Sequence, residues 1–192
     1  MDHLSLKPGD CIGFSGHGWV TDFINVMTGG LPRWGLGHIG IVARYKDDLV
    51  LFESTTLNDD RAHCVIAGKG VHGVQAHYLE DVFSRPGKIW LYPLSYHLYA
   101  DEGLRLSRFL VNQAGLRYDL IGAGRSGGLI PRLLTYVFRR EDLEELFCSE
   151  LVAAAFSNIG VLPTANASTY SPNGFVRRAI RKGLLKPRVR IK

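Results

Sequence analysis

The fold of this chain is decided by residues 37–54, which read Gly-His-Ile-Gly-Ile-Val-Ala-Arg-Tyr-Lys-Asp-Asp-Leu-Val-Leu-Phe-Glu-Ser. Two mainly apolar runs, 38–44 and 49–54, flank a short polar segment that contains Lys46 and Asp47. Runs of this kind, separated by a polar turn, are typical of a β-hairpin. We therefore predict two antiparallel strands joined by a tight turn.

The register of this hairpin brings two titratable residues together. If the turn consists of Lys46 and Asp47 alone, Tyr45 pairs with Asp48, and His38 and Glu53 become diagonal neighbours on one face. Such neighbours lie about 7–8 Å apart, whereas a slip of one residue would separate them onto opposite faces. His38 could then act as a general base whose tautomer Glu53 fixes. The alternatives are a structural histidine and an exposed carboxylate at a strand end.

The rest of the chain predicts further strands and amphipathic helices. Apolar residues at helical spacing and capping signals indicate the helices, and short apolar runs bounded by turn residues indicate the strands. A helix followed by strands and then by more helices is typical of an α+β fold with a mainly antiparallel sheet. We predict strands at residues 11–14, 63–67, 72–77 and 88–94, and helices at 19–28, 101–114 (N-cap Asp101), 148–158 and 171–182 (N-cap Ser171).

Composition favours a single globular domain. The 192 residues are 46% hydrophobic and 21% charged, and no change of composition marks a second domain, so we treat residues 1–192 as one domain. The sequence contains no run of about 18 apolar residues that would predict a membrane-spanning helix. The N-terminus lacks the basic and apolar regions of a signal peptide. We expect a cytoplasmic protein, with export without a cleaved leader left open.

The net charge of +5 is concentrated at the C-terminal end. Residues 177–192 contain eight basic residues and no acidic one, while the remaining 176 residues carry 15 basic and 18 acidic residues. A basic tail of this kind could contact an anionic surface or nucleic acid. A solvated terminal helix and strand is the simpler interpretation, and we do not expect a nucleic-acid partner.

The three cysteines point to one candidate nucleophile. They are too few for a disulfide scaffold, and the sequence has no Cys-x-x-Cys pair or zinc spacing, so we predict no metal and no cofactor. Cys148 is predicted to begin an apolar helix, where free N–H groups and partial positive charge favour a thiolate and could bind an oxyanion. The alternative is a buried structural cysteine, which is what we expect of Cys11 and Cys64.

Several short motifs, taken in order, resemble the circularly permuted, papain-like branch of the NlpC-type thiol hydrolases. That branch includes the YiiX-like bacterial proteins and the relatives of lecithin:retinol acyltransferase. The ordinary NlpC order has the cysteine before the histidine, whereas here His38 and Glu53 come first and Cys148 last. The resemblance covers most of residues 8–180 and is carried by Gly9-Asp10, residues 37–42, the Glu53 strand, residues 115–119, residues 147–152 and Ser171-Pro172.

The resemblance implies a permuted papain-like domain with a central antiparallel sheet or half-barrel. It makes Cys148 the nucleophile, His38 the base and Glu53 the orienting residue, and it implies that Tyr118 donates a hydrogen bond to the oxyanion or substrate. The implied reaction cleaves an amide or ester bond through a thioester, with a peptide of cell-wall type or an acyl lipid as substrate. Residues 120–146 are longer than the family's usual link. A catalytically inactive binding or structural protein of the same fold is the alternative.

Overall fold

The computed structural model describes residues 5–15, 35–55, 63–71, 73–115, 140–163 and 171–192. The predicted helix at 19–28, Tyr118 and residues 120–139 lie outside these ranges. Within them the chain forms six strands, β1 (Cys11–Ser15), β2 (His38–Tyr45), β3 (Asp48–Thr55), β4 (Gly73–Tyr78), β5 (Lys88–Tyr92) and β6 (Val189–Arg190), and four helices, α1 (Leu79–Ser84), α2 (Ala100–Gln113), α3 (Arg140–Asn158) and α4 (Pro172–Arg181).

The strands form one antiparallel sheet in the order β4-β3-β2-β1-β5-β6. The predicted α+β class with a mainly antiparallel sheet is therefore confirmed. The hairpin of β2 and β3 has the predicted register, since Tyr45 pairs with Asp48 and Ile41 with Phe52. Lys46 in the turn has a φ of 55°, a left-handed conformation that suits the right-handed twist of a two-residue hairpin.

Alternation along the strands divides the core into two layers. In β2, Ile39 and Ile41 are buried on the face that packs against α2 and α3, and α4 joins this layer through α3. Val42 is buried on the opposite face together with Leu51 of β3 and Val82 of α1. Successive side chains of a strand point to opposite faces, so a strand that is buried on both faces reads as the continuous apolar run seen in the sequence.

Two predicted helix starts and one predicted strand are wrong. The helix that carries Cys148 begins at Arg140 rather than at residue 148. The N-cap of α2 is Tyr99 rather than Asp101, and the carboxylate of Glu102 accepts a hydrogen bond from the Tyr99 N–H at 2.9 Å. Residues 63–67 form no strand and contribute only an isolated bridge between Cys64 and Lys69.

The basic C-terminal residues form a helix and an edge strand, as the simpler interpretation of their charge predicted. The Ser171 hydroxyl accepts from the Gly174 N–H at 3.2 Å and caps α4. Strand β6 pairs with β5, and the Arg188 guanidinium lies 4.1 Å from the centre of the Trp90 ring. Among the described residues, no helix is both long enough and apolar enough to cross a membrane.

The loop that leads into β2 is fixed from two sides. The Asn173 side chain at the start of α4 accepts from the Leu36 N–H at 2.9 Å and donates to the Leu36 carbonyl at 3.1 Å. On the other side, the Ser15 hydroxyl donates to the Gly35 carbonyl at 2.8 Å, and the Gly37 N–H donates to the Phe14 carbonyl at 3.0 Å. These bonds set the position at which β2 begins, and therefore the position of its first residue, His38.

Replacing Asn173 by alanine is expected to lower the free energy of unfolding by about 2–4 kcal/mol, because two buried backbone groups of Leu36 lose their partners. Urea unfolding followed by circular dichroism measures the change. Asn112→Ala on the exposed side of α2 is the matched control and should stay within about 0.5 kcal/mol of the wild type. Equal effects of the two substitutions would contradict the anchoring role of Asn173.

Candidate functional site

Two of the predicted site residues meet at the end of the central hairpin. His38 is the first residue of β2, and Glu53 lies near the end of β3. The Nε2 atom of His38 and the Oε2 atom of Glu53 are 2.9 Å apart, as the predicted register requires. The Glu53 side chain is 2% exposed and the His38 side chain 21% exposed. The predicted pairing of the two side chains is therefore confirmed.

Cys148 completes this arrangement from α3. That helix packs against β2 and β3, and the Cys148 sulfur is hydrogen-bonded to the His38 ring. The imidazole thus lies between a thiol and a carboxylate, although the three residues are distant in sequence. Cys148 itself has no exposed surface.

The local setting of Cys148 differs from the one predicted. Because α3 begins at Arg140, Cys148 lies more than two turns inside the helix. A backbone N–H at such a position is used by the carbonyl four residues earlier, and the partial charge of the helix end does not extend that far. The prediction that the helix start activates Cys148, and that its own N–H binds an oxyanion, is wrong. The charged partner of the sulfur is His38 instead.

Arg85 is a member of the site that the sequence did not reveal. It follows α1, a short helix that is absent from the predicted elements. Its guanidinium makes two hydrogen bonds to the Glu53 carboxylate. Nη2 lies 2.7 Å from Oε1, and Nη1 lies 3.0 Å from Oε2. The only sequence signal for such a residue was indirect. The hairpin register buries the Glu53 carboxylate in the sheet, and a buried carboxylate needs a cationic partner.

A second histidine, His77 of β4, approaches Glu53 from the other side. Its Nε2 atom lies 3.0 Å from the Gln75 Oε1 atom and 3.4 Å from the Glu53 Oε1 atom. Burial lowers the pKa of His77 despite the nearby charge of Glu53, so this ring is neutral. Its buried Nδ1 atom has no hydrogen-bond partner among the described residues.

The electrostatics of the site favour an ionised Glu53 and a protonated His38. Burial alone would raise the pKa of Glu53, but the hydrogen bond from His38 and the charge of Arg85 hold it well below its usual range. Burial alone would lower the pKa of His38, but the Cys148 sulfur and the Glu53 carboxylate raise it to about 10. The imidazole is therefore protonated at neutral pH and lies beside an ionised carboxylate.

The structure describes two of the three remaining candidates. Tyr118, expected to donate to the oxyanion, falls outside the described residues. Cys11 and Cys64 are buried in the core, where the Cys11 thiol faces the Gly9 carbonyl at 3.9 Å and the Cys64 sulfur accepts from the Ala76 N–H at 3.4 Å. Both pack as small apolar residues, as expected. Within the described ranges, no group of three or more histidine, cysteine, aspartate or glutamate side chains is arranged to hold a metal ion.

Comparison with known proteins bears on the fold alone. No protein-family model and no curated protein matches the sequence. The structure is similar to a solved structure described as metalloprotein YiiX from Escherichia coli O157:H7, DUF1105. The TM-score is 0.51, with 15% sequence identity over 95% of this chain and 87% of the other. The likeness supports the predicted YiiX-like architecture.

The His38 interactions predict how stability changes with pH. Because the pKa of His38 rises from 6.5 to about 10 on folding, its stabilisation is fully present below pH 6.5 and is lost as the pH rises towards 10. The wild type should therefore exceed His38→Gln in unfolding free energy by a constant amount below pH 6.5 and by less above it. Urea unfolding between pH 5 and 10 measures this difference.

A matched control uses His97, an exposed histidine outside the site. The difference between the wild type and His97→Gln should not follow the same curve. A wild-type advantage over His38→Gln that grows between pH 6.5 and 10 would contradict the assignment of a protonated His38 in the folded state.

Proposed function

We propose that this protein is a thiol hydrolase or acyltransferase in which Cys148 is the nucleophile, His38 the acid and base, and Glu53 the residue that orients the imidazole. One observation carries the proposal: the His38 ring is held between the Cys148 sulfur and a buried, ionised carboxylate. An imidazolium beside a thiol favours the thiolate, which is the nucleophilic form. The buried carboxylate fixes the ring and its tautomer.

The proposed reaction proceeds in two steps. The Cys148 thiolate attacks the carbonyl carbon of an amide or ester, and His38 donates its proton to the departing amine or alcohol, which leaves a thioester. Water or a second acceptor then attacks the thioester while His38 removes its proton, and the thiolate leaves as the new acid, ester or amide forms. Each proton that His38 gives in the first step returns to it in the second.

The chain order of the three residues supports a permuted papain-like fold as part of this proposal. His38 and Glu53 come from the hairpin of β2 and β3, and Cys148 comes from a helix that packs against this hairpin later in the chain. The likeness to YiiX is consistent with that topology. The substrate is a peptide of cell-wall type or an acyl lipid. Contact of the basic C-terminal residues with an anionic surface stays a prediction.

The complete burial of Cys148 favours a second candidate, a binding or structural protein of the same fold. With no exposed surface on this residue, a carbonyl carbon can come within the roughly 3 Å needed for attack only after a neighbouring group moves. In a protein without catalytic activity, Cys148 and His38 would serve to pack α3 against β2. The two candidates differ in what removal of the thiol does.

YiiX is described as a metalloprotein, but the described residues of this chain do not fit a metal. Both oxygens of Glu53 are bound by a guanidinium, at 2.7 and 3.0 Å, and the neighbouring His77 is directed to Gln75. A cation at Glu53 would have to displace Arg85. We therefore propose that the chemistry at this site uses no metal.

Cys148→Ala is expected to abolish activity, by at least about 10³-fold, because the nucleophile is lost. Purified protein is assayed on muropeptides and on acyl esters of increasing chain length, which also separates the two substrate classes. Mass spectrometry after acid quenching should find an acyl group on Cys148 of the wild type, and hydroxylamine should remove it. Cys64→Ala, a buried cysteine outside the site, is the matched control and should keep its activity.

The inactive-protein candidate makes the opposite prediction. If it is correct, the wild type turns over neither muropeptides nor acyl esters and forms no acyl adduct. Cys148→Ala then binds these compounds as the wild type does. Turnover that survives in Cys148→Ala would contradict the assignment of the nucleophile.

Removal of metal ions is expected to leave the activity unchanged, because Arg85 already neutralises Glu53. The protein is treated with EDTA and with dipicolinate, passed through a desalting column, and assayed on the substrate identified above beside an untreated sample. Loss of activity that added Zn²⁺ or another divalent ion restores would contradict metal-independent chemistry.

A further inference from the structure

The guanidinium of Arg85 matches the Glu53 carboxylate in shape as well as in charge. Its two terminal nitrogens reach the two carboxylate oxygens separately, at 2.7 Å and 3.0 Å. Bidentate pairs of this kind are more specific in geometry than single bonds. The Arg85 side chain is 25% exposed and the Glu53 side chain 2% exposed. The partly exposed guanidinium therefore lies against a carboxylate that is almost fully buried.

These two bonds restrict the rotation of the carboxylate. The last torsion of a glutamate side chain has a broad energy profile and is easily turned. Here Oε2 accepts from both Arg85 and His38, while Oε1 faces Arg85 and the more distant His77. Any large rotation breaks at least one bond to Arg85. The guanidinium therefore keeps Oε2 directed at the His38 ring.

Phe14 of β1 connects the arginine to the histidine by a second route. The centre of its ring lies 5.7 Å from the centre of the His38 ring and 5.5 Å from the Arg85 guanidinium carbon. A guanidinium at this distance from an aromatic ring is attracted to it. Arg85 thus contacts both the residue that orients His38 and the ring that packs against His38.

The backbone that carries Arg85 is held as well. The Lys192 ammonium group donates to the Arg85 carbonyl at 2.9 Å and to the Phe83 carbonyl at 3.3 Å. These bonds connect the end of α1 to the strand pair of β5 and β6. The arginine is therefore fixed at its main chain and at its guanidinium, which is the arrangement expected of a group that positions others.

The charges around Glu53 come from several elements. His38 approaches from β2, His77 from β4 and Arg85 from the segment after α1, while Asp81 of α1 acts on His77, and Cys148 of α3 acts through His38. Arg85 is the one group among these that keeps its positive charge at every pH at which proteins fold.

We propose that Arg85 is a positioning residue for the chemistry of Cys148: it fixes the Glu53 carboxylate against His38 and keeps that carboxylate ionised, so that the proton shared between them stays on the imidazole. This inference rests on the proposed function for its kinetic consequences, although its structural part does not. The competing interpretation is that Arg85 only ties α1 to the sheet and has no influence on the site.

The first test compares the pH dependence of kcat/KM in Arg85→Met, Arg85→Lys and the wild type. Methionine keeps much of the length without the charge, and we expect kcat to fall about 10- to 100-fold with KM nearly unchanged. The acid limb should move to higher pH by about one unit or more, because Glu53 becomes easier to protonate. Arg85→Lys keeps the positive charge but loses the second hydrogen bond to the carboxylate. Its kcat should therefore fall, while the acid limb of its pH profile stays near that of the wild type.

Two controls make the kinetic result specific. Arg105→Met removes an exposed arginine that pairs with Asp101 and should behave like the wild type. Burial raises the pKa of Glu150, two residues after Cys148, to about 7, so the profiles are repeated with Glu150→Gln. A loss of kcat in Arg85→Met that is equal at every pH, wild-type kcat in Arg85→Lys, or a shift that disappears with Glu150→Gln would overturn the proposal.

The second test needs no turnover and so separates this inference from the proposed function. In Cys148→Ala protein labelled with ¹³C-glutamate, the Glu53 carboxyl signal is followed by NMR as the pH is lowered. In the protein that keeps Arg85, the Glu53 carboxylate should remain ionised at the lowest pH at which the protein is folded. In the protein that also carries Arg85→Met, the Glu53 carboxylate should become protonated at a higher pH. Identical titrations in the two folded proteins would overturn the role of Arg85, whatever the activity assays show.

Discussion

The burial of the Glu53 charge is the constraint on which the rest of this site depends. A carboxylate taken out of water loses several kcal/mol of solvation, which only well-placed partners can offset. Here the partners are the Arg85 fork and the His38 ring, with His77 at a greater distance. Breaking such a pair by removing one member is typically destabilising by about 3–5 kcal/mol. The sequence must therefore keep Arg85 and His38 in place in order to keep Glu53 ionised.

This constraint explains why so many local bonds converge on the start of β2. The hairpin register places Glu53 diagonally across from His38. The loop before His38 is held by Asn173 on one side and by Ser15 on the other. A shift of β2 by one residue would turn Glu53 away from His38 and leave a buried charge without one of its partners. The turn at Lys46 and the hydrogen bonds to Leu36 thus fix both ends of β2, and with them the alignment of His38 with Glu53.

The parts of this site that could be predicted are those encoded locally. The pairing of His38 with Glu53 follows from strand periodicity and a two-residue turn, which are properties of 18 consecutive residues. The bond between Arg85 and Glu53 could not be predicted in this way, because the two residues are 32 positions apart in sequence. Arg85 also follows a short helix with too few turns to show a helical period of apolar residues. The start of α3 is predicted too late because residues 140–147 are rich in charge, and a charged helical turn resembles a loop when its partner surface is unknown.

The proposed reaction gives the Arg85–Glu53 pair a meaning beyond stability, because it keeps the charge of a buried site balanced. With a Cys148 thiolate and a His38 imidazolium, the four groups carry two negative and two positive charges. When the thiolate becomes a thioester and His38 gives up its proton, one charge of each sign disappears together, and the pair of Arg85 and Glu53 remains neutral. Without Arg85, the same sequence of states would carry one uncompensated negative charge in a region of low dielectric, where charge is most costly. Under the proposed reaction, a site that buries its nucleophile completely needs a cation of constant charge beside its orienting carboxylate, and Arg85 is the group that would supply it.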